Sequence, residues 1–312
     1  DFLAVSFGFR PQRGCKGALR VVDQALNKAG VSLQDIELIA ATQGPGLVGS
    51  LLVGFTFAKA VALVQKIPCT GVDHLAGHLL AILLEKEERR PAFPYTALVV
   101  SGGNTSLFAV NSTTEFSLLG RTRDDAAGEA FDKVAKILGL GYPGGAPIEK
   151  TARDGRKDKI HFPRAYLSND SLNFSFSGLK TAVALYVKKW RNGDVENSDV
   201  TLADIASSFQ ESVVDVLVNK VMRARKKESV SAVMVAGGVA CNNRLRTKML
   251  EAASAEGAPV YFPRPEYCTD NAAMIAVAGY HRIMYGERAD LSMDVRSKYP
   301  IQDLSPMKKT DT

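Results

Sequence analysis

Glycine-rich turns that follow short β-type runs most constrain how this 312-residue chain can fold. They lie around Gly44, Gly102 and Gly237, and a helical pattern is expected after each. This order of strand, turn and helix is typical of α/β proteins. Because helix N-termini and exposed amides at such turns suit phosphate groups, the three turns together predict a nucleotide bound in a cleft between lobes. The alternative is that the glycines only allow helices and strands to pack closely.

Hydrophobic periodicity and turn residues predict the remaining elements. Helices are expected at residues 18–29, 48–64, 126–138 and 202–226, from 242 onward, and from about 270 toward 285, with strands at 36–42, 96–100, 106–110, 230–236 and 260–262. Asp73 and Thr269 are expected to cap helices, and residues 101–105 have the composition of a tight hairpin turn. The apolar stretch 47–65, interrupted by Lys59, is interpreted as a buried helix and not as a membrane span.

Length and composition predict two lobes, since the chain is 46% hydrophobic and long enough for a large core. The charged run 85–90, followed by Pro91 and Pro94, is the expected boundary. It gives a first lobe at 1–95 and a second at 96–282, with a C-terminal helix near 283–312 that returns to the first. Four separated cysteines argue against a disulfide framework or a zinc knuckle and fit a reducing cytoplasm.

Two histidines one helical turn apart, His74 and His78, can direct two imidazole nitrogens at one ion. The small residues Ala76 and Gly77 between them are expected to leave room around that ion. Asp270 can either cap a helix or supply an oxygen ligand, and two histidines with one carboxylate suit zinc or iron(II). The alternative is that the two histidines merely share a helix face.

Other polar residues point to nucleotide or nucleic-acid binding. Asp132 can accept hydrogen bonds from ribose hydroxyls or can pair with Lys136, four residues further on. The net charge of +6 permits an anionic partner such as RNA. Basic clusters, each either a nucleic-acid contact or a solvated helix face, lie at 121–123, 153–159, 223–227 and 244–248.

The chain resembles the TsaD family of tRNA N6-adenosine threonylcarbamoyltransferases from about Val21 to Pro300. No single motif decides this, but eight of them occur in the family's order. They are GPGLVGSLLVG at 44–54, the histidine pair, VVSGG at 99–103, DDAAGEAFDK at 124–133, GYPGG at 141–145, FSFSGLKT at 174–181, AGGV at 236–239 with Asn242, and CTDN at 268–271.

The resemblance implies a two-lobed α/β fold of the ASKHA superfamily, which includes actin-like proteins and sugar kinases, with a ligand cleft between the lobes. It implies that threonylcarbamoyl-AMP is the donor and that N6 of adenosine 37, in tRNAs reading codons that begin with A, attacks its carbamoyl carbonyl. Since that amine is a poor nucleophile, catalysis is expected to rest on positioning and on polarisation of the acyl and leaving groups.

The resemblance also assigns residues. By similarity, His74, His78 and Asp270 hold one divalent metal, for which the family favours iron over zinc. The expected catalytic residues are Asp132, Ser101, Gly102 and Gly103. Residues implied to bind donor or nucleotide are Val99, Val100, Ser101, Gly102, Gly103, Asp132, Gly145, Glu149 and Asn242.

Two departures from the family pattern bear on activity. Asn104 stands where many bacterial members have histidine, although other branches carry asparagine. Residues 1–15 lack the family's first phosphate-loop hairpin, so we expect transfer by this chain to be weakened or absent.

Alternative functions follow from the same residues. One is a catalytically incomplete subunit that binds nucleotide or a partner, and another is an ATPase or kinase of the same superfold, which leaves the histidine pair unexplained. A metallopeptidase is disfavoured, because Leu75 stands where a zinc peptidase needs a general-base glutamate.

The expected partners are the anticodon arm of tRNA and, by resemblance to bacterial members, a smaller ASKHA-fold paralogue and a P-loop ATPase. An organellar homodimer is the alternative assembly. No membrane partner is expected, and the bacterial cytoplasm is the expected location.

Overall fold

Alternating strands and helices run through the part of the chain that the computed structural model describes, residues 15–166, 170–195, 199–287 and 292–298. The helices are α1 (Cys15–Ala29), α2 (Val48–Gln65), α3 (His74–Leu80), α4 (Ala127–Leu138), α5 (Gly145–Ala152), α6 (Ser177–Asn192), α7 (Leu202–Lys227), α8 (Asn243–Ser254), α9 (Pro265–Cys268) and α10 (Ala272–Met284). The strands are β1 (Ile39–Gly44), β2 (Cys69–Asp73), β3 (Tyr95–Val100), β4 (Thr105–Val110), β5 (Phe116–Arg121), β6 (Ala232–Ala236) and β7 (Val260–Tyr261). The predicted α/β class is confirmed.

The chain divides into two compact units. Unit 1 comprises Asp1–Arg90, Val110–Ser117 and Thr269–Thr312, and unit 2 comprises Pro91–Ala109 and Leu118–Cys268. The predicted second lobe, which ran to residue 282, differs from this division. The reason is that α10 packs on β1, β2 and α3, where Met274 and Ile275 are buried in one cluster with Val72. The apolar face of α10 therefore belongs to unit 1.

Unit 1 contains a two-stranded parallel sheet. Ile39 of β1 lies opposite Cys69 of β2, and the register shifts between Thr42 and Gly44. Behind this sheet, Ala58 and Ala62 of α2 pack against Cys69. The order β1, α2, β2 is the strand, turn and helix unit that the glycines of residues 44–46 predict.

Helix α2 differs from its sequence-based interpretation. Only Phe55, Ala58 and Ala62 are buried, whereas Leu63 and Val64 are 62% and 76% exposed. The expectation of a buried helix is therefore wrong for most of its surface, because one narrow stripe of small residues makes its contacts with β1 and β2. Within the described residues, α2 alone has the length and apolar composition to cross a bilayer, which is weak evidence of a membrane span.

Unit 2 is built on a five-stranded sheet with the order β5-β4-β3-β6-β7. Strands β3, β6 and β7 are parallel, and Val99 lies opposite Ala236. The close pairing of β3 and β6 explains Gly237, whose φ is +94° and where a Cβ would come within 2.3 Å of the Val100 carbonyl oxygen. The helices α4, α5, α6, α7 and α8 pack around this sheet in one large apolar cluster.

Some local predictions need correction. No helix follows Gly102, because β3 and β4 form the hairpin that the composition of residues 101–105 indicates. Thr269 does not cap α10, since Asn271 does so by accepting a hydrogen bond from Met274 N at 2.8 Å. Helix α5 and strand β5 were not predicted. Helix α5 is short and begins with Gly-Ala-Pro. Strand β5 has the sequence FSLLGR, in which two adjacent leucines interrupt the alternation of apolar and polar residues, so neither element gives a clear periodic signal.

Candidate functional site

The two histidines lie on α3, which Asp73 caps as predicted. Its carboxylate accepts hydrogen bonds from Leu75 N at 2.7 Å and Ala76 N at 3.2 Å. Burial raises the pKa of Asp73 to about 6, and those two amides and the charges of His74 and Arg282 oppose the shift. The cap fixes the first turn of a buried helix and hence the directions of His74 and His78.

The structure brings His74, His78 and Asp270 together. Asp270 Oδ1 lies 3.3 Å from His74 Nε2 and 3.2 Å from His78 Nε2, and one ligand atom from each residue lies within 4.8 Å of the others. His78 is fully buried, the side chain of His74 is 24% exposed and that of Asp270 is 67% exposed. The His78 side chain is therefore deep in unit 1, whereas the Asp270 carboxylate faces solvent.

This donor set fits a divalent metal. Burial lowers the pKa of His78, which favours the neutral imidazole that binds metals, and hydrogen bonds with His74 and His78 hold the pKa of Asp270 well below its usual range. Nδ1 of His78 is buried without a hydrogen-bond partner, so Nε2 is the nitrogen that the fold directs at the carboxylate. Two imidazoles and one carboxylate suit zinc or iron(II) and leave coordination positions open.

Gly77 has a different role from the one that its size suggests. A Cβ at this position would come within 2.9 Å of Ile275 Cδ1 and 3.1 Å of Met274 Cγ. The missing side chain thus lets α10 pack against α3. The prediction that Gly77 leaves room around an ion is therefore wrong, because Ile275 and Met274 fill that space. The same packing carries Asp270, which directly precedes the cap of α10, to the histidines.

In unit 2, the turn between β3 and β4 forms an open loop of small residues. Ser101 N donates to the Asn104 carbonyl at 2.8 Å, and the Ser101 hydroxyl accepts from Asn104 N at 3.2 Å. The amides of Gly102 and Gly103, both exposed, have no partner within the described part of the chain. These two N–H groups are available to an anion or a carbonyl oxygen.

Asp132 holds a second loop in place. One of its carboxylate oxygens, Oδ1, accepts from Gly144 N at 2.6 Å and fixes the segment that leads into α5 at Gly145. Among the described residues no ion pair joins Asp132 to Lys136; instead Lys133 pairs with Asp125 at 2.7 Å and Glu129 at 2.9 Å. Within the described part of the chain, the second oxygen of Asp132 accepts no hydrogen bond.

Glu149 and Asn242 belong to a polar network between α5, α7 and α8. Asn242 caps α8 by accepting from Leu245 N at 2.9 Å, and its amide donates to Gln210 Oε1 at 2.8 Å and Glu149 Oε2 at 3.4 Å. Glu149 also accepts from the side-chain amide of Asn243 at 2.5 Å. Sequence reasoning missed Gln210, since one polar residue within the long helix α7 gives no signal until its neighbours in space are known.

A cavity of about 460 Å³ opens beside this network. Its lining joins residues of α5, α7 and α8, among them Glu149, Gln210, Asn243, Arg244 and Thr247. Donors, acceptors and charges of both signs thus face a space of ligand size. Val99 and Val100, by contrast, are fully buried and do not line this cavity.

Most of the predicted basic clusters are neutralised by acidic neighbours. Arg156 pairs with Asp204 and Asp199, Arg225 and Lys226 pair with Glu256, and Arg244 pairs with Glu211. Arg121 and Arg123 are exposed, and the described residues place no carboxylate within ion-pair distance of them. Between them, Thr122 N donates to the Thr105 carbonyl at 2.8 Å, so both arginines lie close to the end of the 101–104 loop.

Sequence comparisons with known proteins give one family name. The family model of tRNA N6-adenosine threonylcarbamoyltransferase (TsaD) matches residues 15–277. A protein of that name from Desulfotalea psychrophila is 54% identical over 280 residues, which cover 89% of this chain and 80% of that protein. A protein of the same name from Syntrophus aciditrophicus is 49% identical over 286 residues, covering 92% and 82%.

A crystal structure of full-length HypF, in the phosphate- and nucleotide-bound form, shares the fold. Its TM-score is 0.63 at 13% identity, over 87% of this chain and 42% of that one. With the family match, this likeness establishes the ASKHA-type α/β fold.

Proposed function

The chain belongs to the TsaD family of tRNA N6-adenosine threonylcarbamoyltransferases, and from that premise we propose how its residues carry out the transfer. The enzyme attaches a threonylcarbamoyl group to N6 of an adenosine in tRNA. In our proposal the donor is threonylcarbamoyl-AMP and the acceptor is adenosine 37 of tRNAs that read codons beginning with A. The observation that carries the proposal is the convergence of His74, His78 and Asp270 in a chain of this family.

In this proposal His74, His78 and Asp270 hold one divalent metal, with iron preferred over zinc by family resemblance. A metal at these ligands supplies Lewis-acid polarisation of a donor oxygen. Asp73 keeps both imidazoles in place by capping α3. The burial of His78 restricts the movement of this side chain within the site. The exposed Asp270 leaves the outer side open to substrate.

The 101–104 loop acts on the donor. The free amides of Gly102 and Gly103 donate hydrogen bonds to the phosphate or to the carbonyl oxygen as negative charge develops there. Ser101 shapes the loop by bonding to Asn104, and its own hydroxyl proton can be donated to the same oxygen. Val99 and Val100, buried at the end of β3, position the loop that follows them.

The nucleotide part of the donor is bound by unit 2. The second oxygen of Asp132 accepts from a ribose hydroxyl, while Gly145, at the start of α5, allows the backbone to approach the nucleotide. Glu149 and the neighbouring asparagines provide polar groups beside the 460 Å³ cavity. Asn242 uses its side chain to cap α8 and to hold Gln210 and Glu149, so its contribution is to position the other groups.

The acceptor is a polyanion, and Arg121 and Arg123 are the exposed pair that we propose contacts its phosphates. The expected protein partners are the smaller ASKHA-fold paralogue and the P-loop ATPase, and the cytoplasm is the proposed location.

Two expectations from the sequence stay predictions, the ligand cleft between the lobes and the weakened or absent transfer activity. The segment on which the latter rests, residues 1–14, lies outside the described residues. No observation favours a peptidase, since the buried Leu75 offers no base.

The test is mass-spectrometric detection of threonylcarbamoyladenosine in an unmodified tRNA that reads a codon beginning with A. The tRNA is incubated with the enzyme, the adenylate donor and the partner proteins. We expect wild type to form the product weakly or not at all, in line with the prediction for residues 1–15. Any product is expected to be lost with His74→Ala/His78→Ala and retained with His281→Ala, which removes a histidine of unit 1 outside the triad. Equal product from the double variant would falsify the role of the metal site.

A further inference from the structure

Tyr142 places an aromatic ring in solvent, in the loop 139–144 that joins α4 to α5. At 83% exposure it is the most exposed large hydrophobic residue in the described part of the chain. Among the described residues it has neither a hydrogen bond nor a ring contact. Because an aromatic ring gains free energy when its faces are covered, this ring is suited to contact a flat ligand.

Hydrogen bonds and close packing hold the loop 139–144, called here the Tyr142 loop, against α4. Leu140 N donates to the Ala135 carbonyl at 2.9 Å. Gly144 N donates to Asp132 Oδ1 at 2.6 Å, and a Cβ on Gly144 would come within 2.6 Å of Ala135 Cβ. A ring displayed by a short, anchored loop loses little conformational freedom when a ligand covers it.

The Tyr142 loop and the 101–104 loop contact the same face of α4. Gly128 N, in the first turn of α4, donates to the Ser101 carbonyl at 3.2 Å. Asp132, which anchors the Tyr142 loop, lies four residues further on. Since residues four apart share a helix face and are about 6 Å apart along the axis, the two loops are neighbours. The ring of Tyr142 is therefore carried beside the amides that we propose act on the donor.

The donor's own nucleotide has a different place in the proposed function. The 460 Å³ cavity is lined by residues of α5, α7 and α8 and of the loop after α5, and Tyr142 does not line it. The base of a tRNA, by contrast, arrives from solvent, and proteins bind unpaired loop bases by stacking them on aromatic side chains. Stacking covers a face of adenine and leaves the N6 amine, at the edge of the ring, free to react.

We propose that Tyr142 binds the tRNA acceptor by stacking on the adenine ring whose N6 is modified, an inference that rests on the proposed function of this chain. The phenol ring covers one face of the base, and the Tyr142 hydroxyl takes no part. Holding the base flat beside the 101–104 loop supplies the positioning that a poor nucleophile requires.

The experiment measures filter binding of the full chain to two anticodon stem-loop RNAs, one with adenosine at position 37 and one with an abasic residue there. Since the loss of a stacked aromatic ring weakens binding by at least about fivefold, we expect Tyr142→Ala to bind the adenosine RNA about tenfold more weakly than wild type. The abasic RNA is expected to bind Tyr142→Ala and wild type equally, which also shows that the variant is folded.

Two further variants test whether the ring itself is responsible. Tyr142→Phe keeps the ring and is expected to bind both RNAs as wild type does. Tyr285→Ala removes a half-exposed tyrosine that follows α10 in unit 1, and it is expected to change neither affinity. Weaker binding by Tyr142→Phe, equal to that of Tyr142→Ala, would contradict stacking.

The outcomes separate this proposal from the proposed function. If wild type and Tyr142→Ala bind the adenosine RNA equally, or if Tyr142→Ala loses both RNAs to the same extent, the stacking role is overturned while the tRNA interface stands. If wild type binds neither RNA, the proposed acceptor interface is wrong and the role of Tyr142 falls with it.

Calorimetry with AMP tests the other source of an adenine ring, the donor. We expect Tyr142→Ala and wild type to bind AMP with equal affinity, because the cavity does not include Tyr142. Weaker AMP binding by Tyr142→Ala would assign the ring to the donor's adenine and overturn the proposal.

Discussion

At the residue scale, Gly128 decides the geometry of the 101–104 loop. A Cβ on this residue of α4 would come within 2.5 Å of the Ser101 carbonyl oxygen and 2.7 Å of Gly102 Cα. Gly128 N also donates to that carbonyl at 3.2 Å. We expect Gly128→Ala to push the loop away, to destabilise the protein by about 1–3 kcal/mol and to reduce transfer. Urea unfolding and the transfer assay measure the two effects.

The matched control is Gly54→Ala in α2. This glycine is also inside a helix, but a Cβ there meets nothing within 4 Å, so the substitution is expected to stabilise the helix by about 0.5–1 kcal/mol without loss of transfer. Equal effects of the two substitutions would contradict the role given to Gly128.

A second prediction at the residue scale concerns Arg121 and Arg123 and the salt dependence of tRNA binding. Each contact with a phosphate contributes about one unit to the slope of log affinity against log salt. Arg121→Ala/Arg123→Ala is therefore expected to weaken tRNA binding at low salt and to reduce that slope by about two. Filter binding at several salt concentrations gives the slope, and Lys226→Ala, which removes a cation already paired with Glu256, serves as control. A slope unchanged from wild type excludes both arginines from the interface.

At the element scale, the N-terminus of α7 depends on one buried carboxylate. Asp204 accepts from Thr201 N and the Thr201 hydroxyl, both at 2.9 Å, and from three donors of Arg156, including Nη2 at 2.8 Å. Arg156 holds the pKa of Asp204 well below its usual range, against the effect of burial. The carboxylate thus ties the loop before Ile160 to the first turn of the longest helix in unit 2.

The lowered pKa of Asp204 makes the stability of the folded protein depend on pH. Because the pKa of Asp204 is lower in the folded than in the unfolded chain, its contribution is complete above the ordinary aspartate value of about 4 and is lost as the pH falls further. Asp204→Asn is expected to lower the free energy of unfolding at pH 7 by about 1–3 kcal/mol, and by less at pH 3. Urea titrations at both values measure this.

The control at this site is Asp199→Asn. Asp199 pairs with the same Arg156, but its side chain is 57% exposed. The substitution is therefore expected to lower the free energy of unfolding by less than about 1 kcal/mol. A loss at pH 3 as large as that at pH 7 in Asp204→Asn would contradict the titration argument.

At the scale of the whole molecule, the two kinds of site lie in different units. His74, His78 and Asp270 are in unit 1, whereas the 101–104 loop, Asp132 and the cavity are in unit 2. Because a ligand stabilises the structure that binds it, added zinc or iron(II) is expected to slow amide exchange in α3 and around Asn271, and AMP in α5 and α8. Hydrogen exchange followed by mass spectrometry resolves these segments. Protection of α5 by the metal alone would contradict the assignment.

Much of the fold was predictable because its signals are local. The periodicity of residues 202–226 predicts α7 almost to its ends, Asp73 caps α3 as its position indicates, and Gly30, with a φ of +70°, ends α1. The sequence-based predictions were wrong where tertiary packing determines the local structure. Thr269 and Asn271 are equally plausible caps by composition, and the exposure of α2 depends on which neighbours reach it.

The sequence alone determined the family and the α/β class and predicted the residues that could hold a metal, since these depend on residue types at short spacing and on motifs in a fixed order. Tertiary structure alone decided which distant groups meet. Asp270 reaches His78 across 192 residues because α10 packs on α3, and Gln210 joins Asn242 because α7 lies against α8. It also decided which cations are paired, since Arg156 and Arg244 meet carboxylates, whereas Arg121 and Arg123 meet none among the residues that the structure describes. The physical reason is that contact between residues far apart in the chain follows from burial of apolar faces, which no short segment specifies by itself.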